Sequence, residues 1–319
     1  MCTAINYKTT RHFFGRNLDL EYHYAEQVVV TPRNYPFSFS DANSLKHHGA
    51  MIGMATVMDG YPLYYEATNE WGLSMAGLNF PGNAVFGRKQ SEFHNVAPYE
   101  LIPWVLSRCK TVTEAEIQLR KVNICNIAFS EKLPPSPLHW LIADGERSMV
   151  AEPRRDGLRL YENPLGILTN NPPFPYHMTN LANYQNLTAG LVQNSFCSCH
   201  VRQYSNGMGA IGLPGDWSSG SRFVRAAFVK QHSVSQGDEI SQFFHILSAV
   251  SMPAGSVLVN GKPEITQYSC CCDTERGIYY YRTYNNSRIS AVKMRSCSLD
   301  SSTLIRFDLR NNPDIHFEN

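Results

Sequence analysis

The chain opens Met1-Cys2-Thr3, and removal of one methionine would leave a cysteine as its first residue. Methionine is trimmed when the next side chain is small, and cysteine is small enough. The product carries a thiol and a free α-amine on one residue, a nucleophile and a base held together by covalent geometry. An α-amine titrates at roughly 7.7–8.0 and a thiol at about 8.5, so the amine can take the thiol proton near neutral pH. No histidine and no cofactor is needed for that activation, which is the logic of a covalent N-terminal hydrolase. Many chains begin Met-Cys by chance, so the pair acquires meaning from its company.

That company begins in Arg11-His12-Phe13-Phe14-Gly15-Arg16-Asn17-Leu18-Asp19-Leu20. A strand pattern runs into Gly15, after which Arg16 and Asp19 stand three residues apart and could both reach the nucleophile. An arginine beside a thiol favours the thiolate, and a carboxylate can hold the terminal amine in place. Alone, the two would equally make a surface ion pair of little consequence.

The elements that must position these groups read as blocks. Cys2 to Tyr7, His12 to Leu18, Gln27 to Thr31, Met51 to Met58, Pro62 to Glu66 and Leu73 to Leu78 are short apolar or alternating runs punctuated by Gly, Pro and Asn, as in antiparallel sheet. Helical periodicity follows from Pro98 through Leu106 and from Thr113 to Val122, the second with a Thr-Glu cap pattern. Strands resume at Leu138 to Ala143, Ser148 to Ala151 and Leu158 to Tyr161, and helices fit His177 to Leu191, Ser221 to Val229 and Asp238 to Val250. Thr266 to Cys272, Gly277 to Tyr284 and Arg288 to Met294 return as strands. Separate blocks of strands and helices imply a layered α+β architecture. No linker or internal repeat divides the chain, so one domain over residues 2–319 is expected.

Several blocks together resemble the choloylglycine hydrolase family, which includes the bile salt hydrolases and the penicillin V acylases. They are Met1-Cys2-Thr3-Ala4, Phe14-Gly15-Arg16-Asn17-Leu18-Asp19, Gly77-Leu78-Asn79-Phe80-Pro81-Gly82, Leu168-Thr169-Asn170-Asn171-Pro172, Gly212-Leu213-Pro214-Gly215-Asp216, Ser221-Arg222-Phe223-Val224-Arg225, and Thr266-Gln267-Tyr268-Ser269 with Gly277-Ile278-Tyr279-Tyr280-Tyr281. Their order is the family's, and they span nearly the whole chain. The resemblance implies a four-layer αββα N-terminal-nucleophile sandwich, two antiparallel sheets between helical layers. It makes Cys2 the nucleophile, with Arg16, Asp19 and Arg222 as its polar shell and Arg225 as a structural residue. Asn79 and Asn170, which local sequence alone reads as turn residues, become donors to the oxyanion or the substrate carbonyl. Leu18, Met58, Tyr65, Phe129, Leu133 and Leu138 match positions that contact the acyl group. Residues 185–215 resemble an extension that packs between subunits, and the family suggests a homotetramer.

The expected reaction is hydrolysis of glycine- and taurine-conjugated bile salts through a thioester on Cys2. The alternative keeps the mechanism with a phenoxyacetyl acyl group, as in penicillin V acylase; Asn79 opposes it, because penicillin-preferring relatives commonly carry tyrosine there. A non-catalytic binder on this fold would leave the joint presence of Cys2, Arg16, Asp19, Asn170 and Arg222 unexplained. Two loops, 58–62 and 129–138, look placed over a site, the second stiffened by three prolines.

Composition narrows the remaining classes. With 28 basic and 27 acidic residues the net charge is +1, which offers no footprint for nucleic acid. No apolar run approaches the roughly 18 residues that span a bilayer, and the N-terminus lacks a secretory signal, so a cytoplasmic protein without membrane association is expected. The densest of the nine cysteines are Cys197-Ser198-Cys199-His200 and Cys270-Cys271-Cys272. Neither spacing suits zinc, and successive residues of a strand face opposite ways. An odd count argues against a disulfide framework. Small buried hydrophobes are the expectation, with no metal and no cofactor.

Overall fold

The structure is a computed structural model that describes residues 1–41, 44–235 and 237–319. In chain order, the strands of the two large sheets begin with β1 (Cys2–Lys8), β2 (His12–Leu20), β3 (Gln27–Thr31), β4 (Met51–Met58), β5 (Tyr61–Asn69) and β6 (Ser74–Asn79). They continue with β7 (Leu138–Ala143), β8 (Ser148–Arg154), β9 (Gly157–Glu162) and β10 (Ile167–Leu168). The last four are β11 (Ile265–Asp273), β12 (Ile278–Thr283), β13 (Ser290–Lys293) and β14 (Ile305–Asp308). One sheet has the order β10-β1-β2-β11-β12-β13 and the other β9-β8-β7-β6-β5-β4-β3-β14. Every neighbouring pair in both is antiparallel.

Strand parity explains the layers. In β3, Val28 and Val30 enter the core between the sheets while Val29 faces the outer helices, and all three are fully buried. A strand covered on both faces reads as a continuous apolar run, which is what Val28-Val29-Val30 is. Cys2, Ala4, Phe14, Leu18, Cys270 and Cys272 likewise point between the sheets. Ile5, Phe13 and Cys271 point the other way, as the alternation in the cysteine triplet requires. Helices α1 (Leu101–Leu106) and α2 (Val112–Leu119) cover the outer face of the eight-stranded sheet. After α3 (Phe174–Asn180) and α4 (Ser219–Gln231), helix α5 (Glu239–Ser248) lays Phe243, Ile246 and Leu247 on the outer face of the six-stranded sheet. This is the expected four-layer αββα sandwich.

Local expectations were corrected in three places. The helix expected over His177 to Leu191 ends at Asn180 and passes into a 3₁₀ turn at Leu181–Tyr184. Leu191 is 77% exposed, so among the described residues of the chain nothing covers an amphipathic helix that far. The helix expected from Thr113 is α2, capped one position earlier than its first residue by Thr111, whose hydroxyl accepts from the Glu114 N–H; it ends at Leu119, and Val122–Ile124 pairs as a short strand with His94–Val96. Loop 58–62 is a two-residue hairpin turn with Asp59 and Gly60 both at positive φ. Its Tyr61 is not exposed but packs against Phe37, Tyr99 and Phe129.

A buried polar cluster ties the two sheets together. The Glu66 carboxylate accepts from the Tyr279 hydroxyl at 2.5 Å and the Tyr268 hydroxyl at 2.7 Å, and Arg16 Nε lies 3.8 Å away. Burial pushes the Glu66 pKa up, and Arg16 and the two tyrosines oppose that shift. Glu66→Ala would strand the Arg16 charge and two hydroxyls away from water. It is expected to cost about 3–5 kcal/mol, read as a lower urea midpoint. Glu66→Gln, which keeps an acceptor, should lose less.

Candidate active site

Cys2 begins β1, and its place in the ladder determines which residues surround it. It pairs with Leu18, and Arg16 is opposite Ala4 two residues further along the same face. On the other side, Ala4 pairs with Leu168. Continuing that antiparallel register by two residues brings Asn170 across from Cys2. The β1–β2 hairpin and the short β10 thus deliver Cys2, Arg16, Asp19 and Asn170 to one sheet end.

Asn170 is 5% exposed and has its amide oriented by its partners. Its Oδ1 accepts from the Cys2 N–H at 2.8 Å and from Arg222 Nη2 at 2.7 Å. Its Nδ2 donates to the Asn79 main-chain carbonyl at 2.7 Å. The expected oxyanion donor is therefore turned so that its oxygen faces the Cys2 nitrogen, with one amide hydrogen committed to Asn79. Its own main chain is fixed by Ser219 Oγ, which accepts from its N–H, and by His177 Nε2, 3.0 Å from its carbonyl.

Arg222 stands in the first turns of α4, a helix capped by Ser218. Fully buried, it donates to the carbonyls of Cys2 at 2.5 Å and Trp217 at 2.9 Å and to the Thr3 hydroxyl at 2.8 Å. Burial lowers its pKa, opposed by Asp19 and Cys2. Arg16 donates through Nη1 to the carbonyls of Gly77 at 2.5 Å and Tyr65 at 3.1 Å. Burial acts against its charge as well, but Cys2, Tyr268 and Glu66 outweigh it and the pKa rises. Arg225, one turn beyond Arg222, binds the carbonyls of Ala249, Pro214 and Asp216, a purely structural set of contacts.

Asp19 sits at the far end of the β2 ladder. Its main chain brackets Met1: Asp19 N–H donates to the Met1 carbonyl at 2.9 Å, and the Met1 ammonium donates to the Asp19 carbonyl at 2.6 Å. The same ammonium pairs with the buried Glu264 carboxylate. Asp19 Oδ1 accepts from Thr266 Oγ1 at 2.6 Å across a bulge in the β2–β11 pairing. Burial raises the Asp19 pKa against the opposing pull of Arg222 and the N-terminus. Arg16 Nη2, Asp19 Oδ2 and Glu264 Oε2 are buried without a hydrogen-bond partner among the described residues. Buried polar atoms without partners call for an explanation.

Asn79 ends β6 opposite Leu138, and its side chain is exposed without a hydrogen bond among the described residues. The other expected wall residues lie on β2, β4, β5, β7 and the loop 129–137. Leu18 is buried beside Cys2, and Tyr65 is held by a 2.9 Å contact between its hydroxyl and Thr56. Met58 pairs with Tyr61, whose ring packs on Phe129, and Phe129 also meets Tyr99 edge-on at 5.3 Å. The Phe129 N–H reaches the Leu133 carbonyl at 3.2 Å, which folds the proline-rich loop back on itself. Two cavities lie elsewhere. One of about 910 Å³ is at the Lys8 end of β1, and one of about 470 Å³ beside Arg225 and Arg282 reaches the Cys2 shell only through Thr266 and Trp217.

Sequence reasoning missed Thr3, Ser219, Glu264 and the Glu66 cluster. Only Glu66 carried a signal, a lone carboxylate inside the apolar run Tyr64-Tyr65-Glu66-Ala67. Among the described residues, no group of three or more His, Cys, Asp or Glu side chains is arranged to hold a metal ion.

Comparison with known proteins gives the geometry a context. The model of the linear amide C–N hydrolases, choloylglycine hydrolase family, matches residues 2–307. A bile salt hydrolase/transferase of Lactiplantibacillus plantarum is 49% identical over 98% of both chains. The crystal structure of a variant of conjugated bile acid hydrolase from Clostridium perfringens superposes over 100% of both chains, with a TM-score of 0.93 at 34% identity. Penicillin V acylase from Agrobacterium tumefaciens shares the fold, with a TM-score of 0.76 at 18% identity over 96% of this chain and 91% of its own.

Proposed function

The chain belongs to the choloylglycine hydrolase family of linear amide C–N hydrolases, and on that premise we propose that it cleaves the amide bond of glycine- and taurine-conjugated bile salts. The penicillin reading has a likeness of fold alone behind it. The observation that carries the mechanism is the grip on residue 2. Asn170 Oδ1 holds its nitrogen, and Arg222 holds both its carbonyl and that same oxygen.

With Met1 removed, the nitrogen held by Asn170 becomes a free amine adjacent to the thiol. It takes the thiol proton as sulfur attacks the substrate carbonyl, and returns it to the departing glycine or taurine nitrogen. The acyl thioester then yields to water. Arg16, fully buried on the strand paired with Cys2, stabilises the thiolate by its charge. Asp19 and Arg222 hold the terminus in register. The free amide of Asn79 at the rim is the donor to the developing oxyanion. A thioester can be opened by water or by an amine, so one intermediate serves both hydrolysis and acyl transfer. Purified protein should turn over glycocholate and taurocholate well above penicillin V; the reverse order would refute the assignment.

We assign the acyl pocket to the rim formed by Leu18, Met58, Tyr65, Phe129, Leu133 and Leu138. Phe129→Ala should lower kcat/KM by about 10- to 100-fold, corresponding to roughly 1–3 kcal/mol of lost apolar contact. The loss should be equal for glycine and taurine conjugates of one steroid. A changed glycine/taurine ratio would move the loop to the amino-acid end.

We read residues 2–319 as one functional unit, because the site draws Cys2 and Asp19 from one sheet, Asn79 from the other and Arg222 from α4. A homotetramer with 185–215 between subunits would cover Leu191, Phe196 and Tyr204, which are 77%, 97% and 84% exposed. We place the protein in the cytoplasm, a reducing setting in which its nine cysteines would remain thiols. No helix among the described residues is long and apolar enough to cross a membrane.

A further inference from the structure

Two histidines beside the site take no part in the chemistry, and both are fully buried. His139 lies on β7 opposite Leu78. Its Nε2 is 2.9 Å from the Thr169 carbonyl, the peptide oxygen that precedes Asn170. Its ring stacks on Phe80, the residue after Asn79, with centroids 4.2 Å apart and planes 6° from parallel. His177, in α3, repeats the arrangement one carbonyl further on. Its Nε2 is 3.0 Å from the Asn170 carbonyl, and its ring stacks at 4.8 Å and 23° on Phe223, the residue after Arg222. Each imidazole therefore joins the backbone at Asn170 to the immediate neighbour of another site residue.

The partners dictate how the rings are protonated. A carbonyl can only accept, so Nε2 carries the proton in each. Burial lowers the His177 pKa, which keeps that ring a neutral Nε2–H tautomer at neutral pH. The His139 Nδ1 faces Glu152 Oε1 at 3.2 Å. The same oxygen accepts from the N–H of Phe174, the first residue of α3, at 2.9 Å. Glu152 thus holds the ring of one histidine and docks the helix that carries the other.

We propose, resting on the amidase reading, that His139 and His177 are positioning residues for the reaction: His139 sets Asn170 against Asn79, and His177 sets Asn170 against Arg222. Asn170 Oδ1 holds the nitrogen of residue 2 and also accepts from Arg222, while its Nδ2 bonds the Asn79 carbonyl. A rotation of the Asn170 backbone would loosen all three contacts together. The two stacked rings oppose that rotation by gripping the carbonyls on either side of the residue. Neither histidine is among the residues assigned to the acyl pocket, so their loss acts on kcat and leaves KM alone.

The test compares variants that keep a ring with variants that keep a donor. His177→Phe retains the stacking and loses the N–H, whereas His177→Gln returns an N–H near the Nε2 position. His139→Phe and His139→Gln are made on a Glu152→Gln background, and compared with it, so that no buried carboxylate is left unpaired. Glycocholate kinetics and urea midpoints are measured together with the rate at which iodoacetamide alkylates Cys2 in the Met1-free protein. In the folded Phe variants kcat should fall about tenfold or more, KM should stay within about twofold, and Cys2 alkylation should slow about fivefold. The Gln variants should recover most of both rates. Phe80→Leu removes only the ring against His139 and keeps that arm testable if its Phe variant does not fold; kcat should drop about threefold. Unchanged kcat in the folded variants, a loss confined to KM, or Gln variants no better than Phe would overturn the positioning role. Alkylation involves no bile salt, so a wild-type protein inert to glycocholate would strike the substrate reading while the alkylation rates still decide this one.

Discussion

Cys2→Ala is expected to abolish bile-salt hydrolysis, with a fall of three or more orders of magnitude, the scale on which enzymes lose activity when a covalent nucleophile is removed. The protein should remain folded. The Cys2 side chain is 2% exposed in the core between the sheets, and exchanging a sulfur for a hydrogen there should cost on the order of 1 kcal/mol. A nearly unchanged urea midpoint together with absent glycocholate turnover is the expected signature. Cys2→Ser should also be severely impaired, because a hydroxyl is far less acidic than a thiol and the terminal amine is too weak a base to ionise it. Substantial turnover by the alanine variant would remove the thioester from the mechanism.

Retention of Met1 should be equally damaging, for a different reason. With Met1 in place, the nitrogen of residue 2 is a peptide N–H that donates to Asn170 Oδ1, and it has no basicity to offer. The Met1 ammonium lies instead against the Asp19 carbonyl and Glu264, one residue away from the position the chemistry requires. Preparations with different fractions of retained methionine can be made by limiting the aminopeptidase during expression. Turnover plotted against the fraction lacking Met1, measured by intact mass, should be a straight line through the origin. Normal turnover from fully unprocessed protein would refute the amine as base.

The sheet end that carries the site was legible because its groups sit on strands of simple parity. Arg16 and Asp19 belong to the strand that pairs with β1, so once Cys2 to Tyr7 and His12 to Leu18 are read as a hairpin, their proximity to Cys2 follows. Asn170 and Arg222 were legible only through the family likeness. Their approach depends on β10, a two-residue strand, and on the path of the chain into α4. The orientation of Asn170 was beyond reach, since it is set by three partners distant in sequence. The helix expected over 177–191 shows why periodicity alone misleads: apolar spacing specifies a helix only where a surface exists to bury it. Cys197 and Cys199 follow the same rule: they are exposed where small buried hydrophobes were expected, as Cys109, Cys125 and Cys270 to Cys272 are, because composition says which residues favour burial and only packing says whether anything covers them.

The embrace of Met1 also has a consequence for the timing of synthesis. Once β1 has joined the ladder, the Met1 ammonium is clasped between Asp19 and Glu264, and its peptide bond to Cys2 lies at the end of the sheet. A trimming enzyme needs that bond extended and free. The six-stranded sheet cannot form around β2 until β11, which begins at Ile265, takes its place beside it. During that interval on the ribosome the first residues wait without their final partners. The long separation in sequence between β2 and β11 leaves the terminus without its final partners for that interval, which is when the proposed removal of Met1 would have to occur.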